Sequence, residues 1–219
     1  MPLCVIIGAG TGISLAVAER FGREGFTCAL VARRAEALNE YVQQLADQSI
    51  QARGFVADAG DPESLRAALG KIHDQLGTTD VLVYNASAGQ QGTPSTLDPE
   101  RVVADFRVST IGALIAAQHV IPAMQQAGTG TILLTGGGLS LNPFPQYASL
   151  AIGKAGLRNL AHSLAAELEP AGIHVATITV SGFVRPNSPF DPALIAEHYW
   201  TLHTQPRDKW QREIILDGK

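Results

Sequence analysis

Short continuous runs of hydrophobic residues alternate with amphipathic segments along the chain. The continuous runs are rich in valine, isoleucine and leucine, a pattern typical of parallel strands that are covered on both faces. Seven runs predict strands, at Leu3–Ile7, Thr27–Ala32, Gln51–Ala57, Asp80–Asn85, Gly130–Thr135, Ile173–Val180 and, with a weaker pattern, Glu213–Leu216. The intervening segments predict helices. This order predicts an α/β protein with right-handed crossovers and one doubly wound parallel sheet of about seven strands, with helices on both faces.

Two of the predicted helices carry a clear start signal. Asp61-Pro62 and Asp98-Pro99 each place a capping carboxylate before a proline of the first turn. The second pair opens a long helical segment that reaches about Gln126. A second long helix is predicted over Ser149–Pro170, and a short one near Ala193–His203 follows a proline-containing loop.

Composition and charge exclude several classes of protein. The chain has 219 residues, 46% apolar and 16% charged, which indicates a globular protein with a sizeable core. The net charge of −4 comes without a clustered basic face, so we expect no nucleic-acid partner. No apolar run has membrane-spanning length, and the N-terminus leads directly into a strand without a signal peptide. Cys4 and Cys28 are expected to be buried thiols, although a disulfide is conceivable, and a cytoplasmic location follows.

A glycine-rich turn follows the first predicted strand and opens a helix. Glycines in this place let the backbone approach a pyrophosphate at the helix N-terminus, where free N–H groups favour anions. A purely structural turn is the alternative. The predicted contacts to the cofactor are Gly8, Gly10, Thr11, Gly12 and Ile13.

Arg33 and Arg34 follow the second strand. A site for NAD usually has an acidic residue here that binds the ribose 2′-hydroxyl, whereas two arginines suit a 2′-phosphate. A solvated basic pair is the alternative, but the start of a helix is an unfavourable place for cations. The sequence therefore predicts NADP(H) as the cofactor, in preference to NAD(H).

Three further motifs complete the pattern. Asp58 follows the third strand, Asn85-Ala86-Ser87-Ala88-Gly89 follows the fourth, and Lys154-Ala155-Gly156-Leu157 lies in the second long helix. With the glycine loop and Arg33 in this order, the chain resembles the short-chain dehydrogenase/reductase family over roughly residues 3–185. The resemblance implies a Rossmann-type fold, an adenine contact for Asp58, and dinucleotide contacts for Asn85 and Ala86. Capping of the following turn is the alternative role for Asp58.

The resemblance fails at the catalytic positions. The family uses a Tyr four residues before the Lys as general acid, a Ser that holds the substrate oxygen, and an Asn in the preceding long helix. Here the Tyr position is Leu150, the Ser position falls within Gly136–Gly138, and the Asn position is Ser109. Only Lys154 is retained; in the family this residue holds the nicotinamide ribose and lowers the Tyr pKa.

Substitute groups are available nearby. Tyr147 is predicted at or before the helix start, where the chain is free to place its side chain, although a packed aromatic residue is equally plausible there. Thr135 precedes it by twelve residues, which is a family-like Ser-to-Tyr spacing. The catalytic candidates are therefore Lys154, Tyr147 and Thr135. A water molecule or the substrate itself could also supply the proton.

The C-terminal quarter supplies the remaining expectations. Gly182 and Val184 match the family's segment that contacts the nicotinamide amide. His198, Tyr199, Trp200 and His203 could line a lid, or could be core or subunit contacts. No metal site is expected, because the histidines lack partners at ligand spacing.

Three functions remain open from sequence. The first is an NADPH-dependent oxidoreductase that acts on a small organic carbonyl, imine or activated alkene, with atypical proton transfer. The second is a catalytically silent NADP(H)-binding sensor or regulatory protein. The third is a lyase or isomerase on the same fold. We expect one domain over residues 1–219, with residues 1–90 mainly binding the dinucleotide and residues 91–219 forming the substrate half. The resemblance also implies a homodimer or homotetramer built on the two long helices.

Overall fold

A computed structural model describes residues 1–218 and contains a single parallel sheet with the strand order β3-β2-β1-β4-β5-β6-β7. The seven strands are β1 Leu3–Ile7, β2 Thr27–Ala32, β3 Ala52–Val56, β4 Val81–Tyr84, β5 Gly130–Gly137, β6 Ile173–Val180 and β7 Glu213–Leu216. The strand order reverses between β1 and β4, which in doubly wound folds is where ligands bind. The predicted fold class is confirmed.

Helices cover both faces of the sheet. They are α1 Ile13–Arg23, α2 Ala35–Asp47, α3 Pro62–Leu76, α4 Pro99–Phe106, α5 Gly112–Ala127, α6 Ala148–Leu168 and α7 Pro192–Thr204. One apolar layer packs α3, α5 and α6 against the sheet, and a second packs α1, α2 and α7 against the other face. None of the helices in the described part of the chain is long and apolar enough to cross a membrane.

Both Asp-Pro signals act as predicted. The Asp61 carboxylate accepts hydrogen bonds from the backbone N–H groups of Glu63 and Ser64, and Asp98 accepts one from that of Glu100. These bonds satisfy donors that a helix start leaves unpaired.

Two element boundaries differ from the prediction. The long segment after Asp98 is not one regular helix, because a π-helical turn at Arg107–Ile111 separates α4 from α5. β5 runs two residues further than predicted and includes Gly136 and Gly137, because both pair with β6 in register. Glycine has low strand propensity, and here the pairing overrides it.

The C-terminal aromatic cluster belongs to the core. Tyr199 is fully buried, and Trp200 packs edge-on against Phe21 and Phe26 between α7 and α1. His203 contacts the same rings and shares a hydrogen bond with Thr131. For Tyr199, Trp200 and His203 the lid interpretation is therefore wrong and the core interpretation is confirmed, whereas His198 is half-buried on the same helix.

The two cysteines lie side by side on neighbouring strands. Cys4 on β1 is opposite Cys28 on β2, and both are buried and unpaired, as predicted. Burial raises the pKa of both thiols, to about 12 for Cys28, so neither is poised to react as a thiolate.

Candidate active site

A long crevice opens at the carboxyl ends of the central strands and consists of two adjoining cavities. The first has a volume of about 620 Å³ and the second about 780 Å³, and Asn85 and Ser87 line both. Arg33, Arg34 and Asp58 line the first cavity. The second contains most of the residues named for catalysis, namely Thr135, Gly136, Gly137, Gly138, Tyr147, Leu150 and Lys154. Most of the predicted cofactor and catalytic residues therefore line one continuous crevice. Gly10, Thr11 and Gly12 are not among the residues that line either cavity and lie in the loop between Gly8 and Ile13, which do line it.

The glycine loop is built for close backbone contact. Gly8 has φ +87°, a conformation that side chains rarely adopt, and a Cβ added to it would come within 2.6 Å of the Ala86 Cα. Gly12 is the N-cap of α1 and provides no side-chain cap. The first N–H groups of α1 therefore remain available for an anion.

Ser14, in the first turn of α1, bridges the glycine loop to the residue that follows β4. Its hydroxyl donates to the Gly8 carbonyl oxygen at 2.8 Å and accepts from the Asn85 Nδ2 at 2.7 Å. Because the single hydroxyl proton is used on Gly8, Ser14 can only accept from Asn85. The Asn85 amide is therefore fixed with its oxygen left for a ligand.

We expect Ser14→Ala to raise the NADPH dissociation constant about fivefold, because one net hydrogen bond is worth about 1 kcal/mol and the Asn85 amide becomes free to rotate. Titration of the protein's fluorescence with NADPH measures this change. A variant that loses thermal stability but binds NADPH as tightly as the wild type would contradict the orienting role of Ser14.

Arg33 and Arg34 line the first cavity. Both are exposed, and neither forms an ion pair within residues 1–218. Asp58 lines the same cavity, and its carboxylate accepts from the Gly60 N–H at 2.8 Å. The turn-capping role that we considered for Asp58 is therefore present.

Lys154 is the buried cation of the second cavity. Its side chain projects from α6, the residue is only 8% exposed, and Nζ donates to the Thr135 carbonyl oxygen at 2.7 Å. Burial lowers the Lys154 pKa to about 8, because the charged form loses hydration.

Gly137, Leu150 and Tyr147 shape the second cavity around Lys154. A Cβ on Gly137 would lie 3.5 Å from the Cγ, Cδ and Cε atoms of Lys154. Leu150 lines the cavity and packs against Gly89, where an added Cβ would come within 2.6 Å of the Leu150 Cβ. Tyr147 is the N-cap residue of α6, as predicted, and is 38% exposed at the cavity rim. The pocket is thus open beside the lysine stem.

Thr135 does not have the position that its candidate role requires. Its hydroxyl is buried and shares a 2.6 Å hydrogen bond with the Tyr199 hydroxyl of α7. Only its carbonyl oxygen serves the site, as the acceptor for Lys154. The physical reason is strand alternation, because the side chain at this register of β5 points to the face covered by α7. Thr135 is thus corrected from catalytic hydroxyl to backbone support.

Ser109 also has a supporting position. The residue is fully buried in the π-helical turn, and its hydroxyl both donates to the Ala88 carbonyl and accepts from the Ala88 N–H, each at 3.1 Å. Gly153 packs directly on it, since a Cβ there would come within 2.7 Å of the Ser109 Cβ. Ser109 thus holds the loop after β4 against α6 next to Lys154.

A hydrogen bond between Asp105 and Ser149 also supports the site and was not predicted from the sequence. The Asp105 carboxylate accepts from the Ser149 hydroxyl at 2.5 Å and from the Gln90 N–H at 3.1 Å. The Gly92 N–H also donates to the Gln146 carbonyl at 3.0 Å. These bonds fix the first turn of α6, and with it Tyr147 and Leu150. The partners are distant in sequence and carry no motif, so no sequence signal indicated them.

The segment after β6 closes the crevice on the remaining side. Gly182 and Val184 line the second cavity, and a Cβ on Gly12 would lie 3.8 Å from the Val184 Cγ1. Phe183 between them is exposed. No cluster of metal-ligating side chains occurs in the part of the chain that the structure describes.

A family model described as short chain dehydrogenase matches residues 3–188. The chain belongs to this family. The resemblance predicted from the motifs is thereby confirmed, and so is membership of a class of oxidoreductases. This short-chain dehydrogenase is 31% identical over 175 residues to the protein named Oxidoreductase asL5 from Sarocladium schorii, covering 80% of this chain and 69% of that protein.

Two further comparisons agree with this assignment. The protein named Probable galactose dehydrogenase GalD from Rhizobium meliloti (strain 1021) is also 31% identical over 175 residues, which cover 80% of this chain and 68% of that one. A metagenomic short-chain oxidoreductase solved in complex with NADP superposes with a TM-score of 0.90 at 26% identity. The superposition covers 98% of this chain and 96% of that chain.

Proposed function

We propose that this short-chain dehydrogenase is an NADPH-dependent reductase of a small organic carbonyl, imine or activated alkene. The observation that carries the proposal is the continuous crevice. Two arginines without an ion-pair partner in residues 1–218 line one end of it, and a buried lysine lines the other. The solved NADP complex of a structural neighbour supports the choice of cofactor. The names of the two relatives, an oxidoreductase and a dehydrogenase, support the reaction class.

The residues present fit a dinucleotide. The cradle at Gly8 leaves no room for a side chain, α1 begins without a side-chain cap, and the Asn85 amide presents a free oxygen. We assign the pyrophosphate to the loop of Gly8, Gly10, Thr11, Gly12 and Ile13, and the 2′-phosphate to Arg33 and Arg34. We assign Asp58 to the adenine, and Asn85 and Ala86 to the adjoining ribose, which lies against their backbone. At the other end of the cofactor, we assign Lys154 to the nicotinamide ribose, and Gly182 and Val184 to the nicotinamide amide.

The bound cofactor supplies a hydride, and the chain supplies orientation and charge. The walls that meet the substrate are mainly apolar, with Leu139, Phe144, Leu150 and Phe183 among them. Lys154 and Tyr147 are the titratable side chains of this cavity. We therefore assign to them the handling of charge and protons at the substrate.

Location and assembly are part of the same proposal. The two unpaired, buried thiols support a cytoplasmic location. Val103 of α4 and Ile152 of α6 are large, exposed apolar residues on the helices where the family resemblance places subunit contacts. They support a homodimer or homotetramer.

The decisive experiment measures NADPH oxidation with a panel of ketones, aldehydes, enones and cyclic imines. We expect substrate-dependent oxidation by the wild type, reduced at least about 100-fold in Lys154→Ala, because loss of a group that acts in proton transfer costs about 10²–10⁴. Tight NADPH binding without turnover on the whole panel would instead indicate the silent binding protein. Absence of binding would contradict both.

A further inference from the structure

The departures from the family pattern leave the substrate oxygen without its usual neighbours. Leu150 cannot transfer a proton, and Gly137 has no hydroxyl to offer. Of the residues that line the second cavity, only Lys154 and Tyr147 have acid or base side chains. One of these two must therefore supply the proton if the enzyme itself supplies it.

The Lys154 ammonium has donors to spare. An ammonium group carries three N–H donors, and one of them is used on the Thr135 carbonyl oxygen at 2.7 Å. No second partner of Nζ occurs among residues 1–218. Two donors therefore remain for ligands, enough for a cofactor hydroxyl and a substrate oxygen together.

The space beside Lys154 is open to a substrate. The volume that a side chain at position 137 would occupy lies in van der Waals contact, 3.5 Å, with the Lys154 methylenes. A substrate can enter that volume and bring an oxygen to the buried amine. Glycine at position 137 thus gives access where a serine would occupy the space.

Tyr147 has a less suitable setting. It is 38% exposed, it precedes the first residue of α6, and its ring contacts that of Phe144 at the rim. It lies seven residues before Lys154, about 10 Å along a helix axis. The Tyr147 phenol is therefore partly solvated, whereas Lys154 is buried, where its charge acts most strongly on a bound substrate.

We propose that Lys154 itself, and not a phenol, delivers the proton to the substrate, whose reactive group is therefore a carbonyl or an enone. This inference rests on the proposed reductase function. In a carbonyl substrate the carbonyl carbon receives the hydride that the bound cofactor supplies, and the electron pair of the C=O π bond moves to oxygen. In an enone the β-carbon receives the hydride, the C=C pair forms a double bond to the carbonyl carbon, and the C=O pair again moves to oxygen. The oxygen takes a proton from Nζ, the N–H bond breaks, and the neutral amine regains a proton from water.

Charge narrows the substrate class. Negative charge develops on the oxygen of a carbonyl or enone during reduction, and a preorganised ammonium in a buried site stabilises it. An imine is reduced as a cation, which the Lys154 charge repels. No carboxylate lines the second cavity to offset that repulsion. Burial also lowers the Lys154 pKa to about 8, near the pH at which a general acid is most effective.

The first part of the test needs no turnover. The sequence contains four lysines, Lys71, Lys154, Lys209 and Lys219. Lysine labelled with ¹³C at Cε therefore gives four NMR signals, one from each side chain. We expect one of them to titrate near pH 8 and to vanish in Lys154→Met. Lys71→Met, at an exposed position on α3, is the matched control and removes a different one of the four signals. NADPH affinity of Lys154→Met, measured by fluorescence, is expected to fall less than tenfold.

The second part measures kcat/KM against pH with cyclohexanone, 2-cyclohexenone and benzaldehyde as carbonyl probes and 1-pyrroline as the imine probe. A proton donor must be protonated, so activity is flat at low pH and falls about tenfold per pH unit above the lysine pKa. We expect this limb to match the pKa from the lysine titration, to remain in Tyr147→Phe, and to move to higher pH in Lys154→Arg. In Lys154→Met we expect kcat to fall about 100-fold or more.

Two outcomes would overturn the inference while leaving the reductase intact. One is a basic limb that disappears in Tyr147→Phe and survives in Lys154→Arg. The other is turnover of 1-pyrroline alone. A Lys154→Met enzyme with a raised KM and an unchanged kcat would also reject proton donation, since it would show that Lys154 only holds the ribose. No NADPH turnover by the wild type on any probe would overturn the proposed function, and this inference with it.

Discussion

Replacing Arg33 and Arg34 together by alanine is expected to raise the NADPH dissociation constant about 100-fold or more, because each charge-assisted hydrogen bond to a phosphate contributes about 1.5–3 kcal/mol. The NADH dissociation constant is expected to change less than about threefold, since NADH lacks the 2′-phosphate. Both arginines are exposed and without an acidic partner in the described residues, so their removal breaks no ion pair. Fluorescence titration with each cofactor measures both constants.

Arg66→Ala is the matched control for this prediction. Arg66 is exposed on α3 and lines neither cavity. It therefore reports any general effect of lost positive charge on binding of an anionic cofactor, which should be small and reduced by salt. If the double variant lost NADPH and NADH affinity to the same extent, the arginines would be contacts of a shared part of the cofactor. The assignment of the 2′-phosphate would then be incorrect.

Most of the fold could be predicted because its signals are local. The continuous apolar runs predicted the first and last residues of six strands to within two residues, and the same pattern predicted β7. The Asp-Pro pairs predicted two helix starts because capping involves only neighbouring residues. The glycine loop likewise predicted a tight turn after β1, because the positive φ of Gly8 is a local property of one residue.

The site was predicted less completely because its contacts are distant in sequence. Thr135 and Tyr199 are 64 residues apart, and only the packing of α7 on the sheet brings their hydroxyls together. Spacing alone had suggested Thr135 as a substitute for the family's Ser, which its burial excludes. The Ser14 bridge to Asn85 spans 71 residues. Such pairs leave no periodicity in the sequence.

Replacing Glu213 by Gln is expected to lower the free energy of unfolding by about 2–3 kcal/mol. The Glu213 side chain is only 10% exposed. Its carboxylate accepts three hydrogen bonds from the Arg158 guanidinium, at 2.6–3.1 Å, and one from the Thr179 hydroxyl at 2.6 Å. The figure lies below the full cost of breaking a buried pair, because Arg158 is 34% exposed and water screens it. Urea unfolding at neutral pH measures the difference.

The matched control is Glu169→Gln. Glu169 pairs with Arg212 at 2.8 Å, but both side chains are about half exposed, so we expect a loss below about 1 kcal/mol. Equal losses in the two variants would show that burial does not strengthen the Glu213 network.

The same network sets the acid limit of stability. Burial by itself raises the Glu213 pKa, but the hydrogen bonds from Arg158 and Thr179 outweigh it, so that the pKa lies below its usual value. A carboxyl whose pKa is lower in the folded state stabilises the fold above its unfolded pKa, about 4.3, and loses that contribution as the pH falls through the folded value. The stability difference between wild type and Glu213→Gln should therefore be constant at neutral pH and shrink below about pH 4. Because Arg158 lies one helical turn beyond Lys154 on α6, this ion pair also joins the helix that carries the lysine to β7.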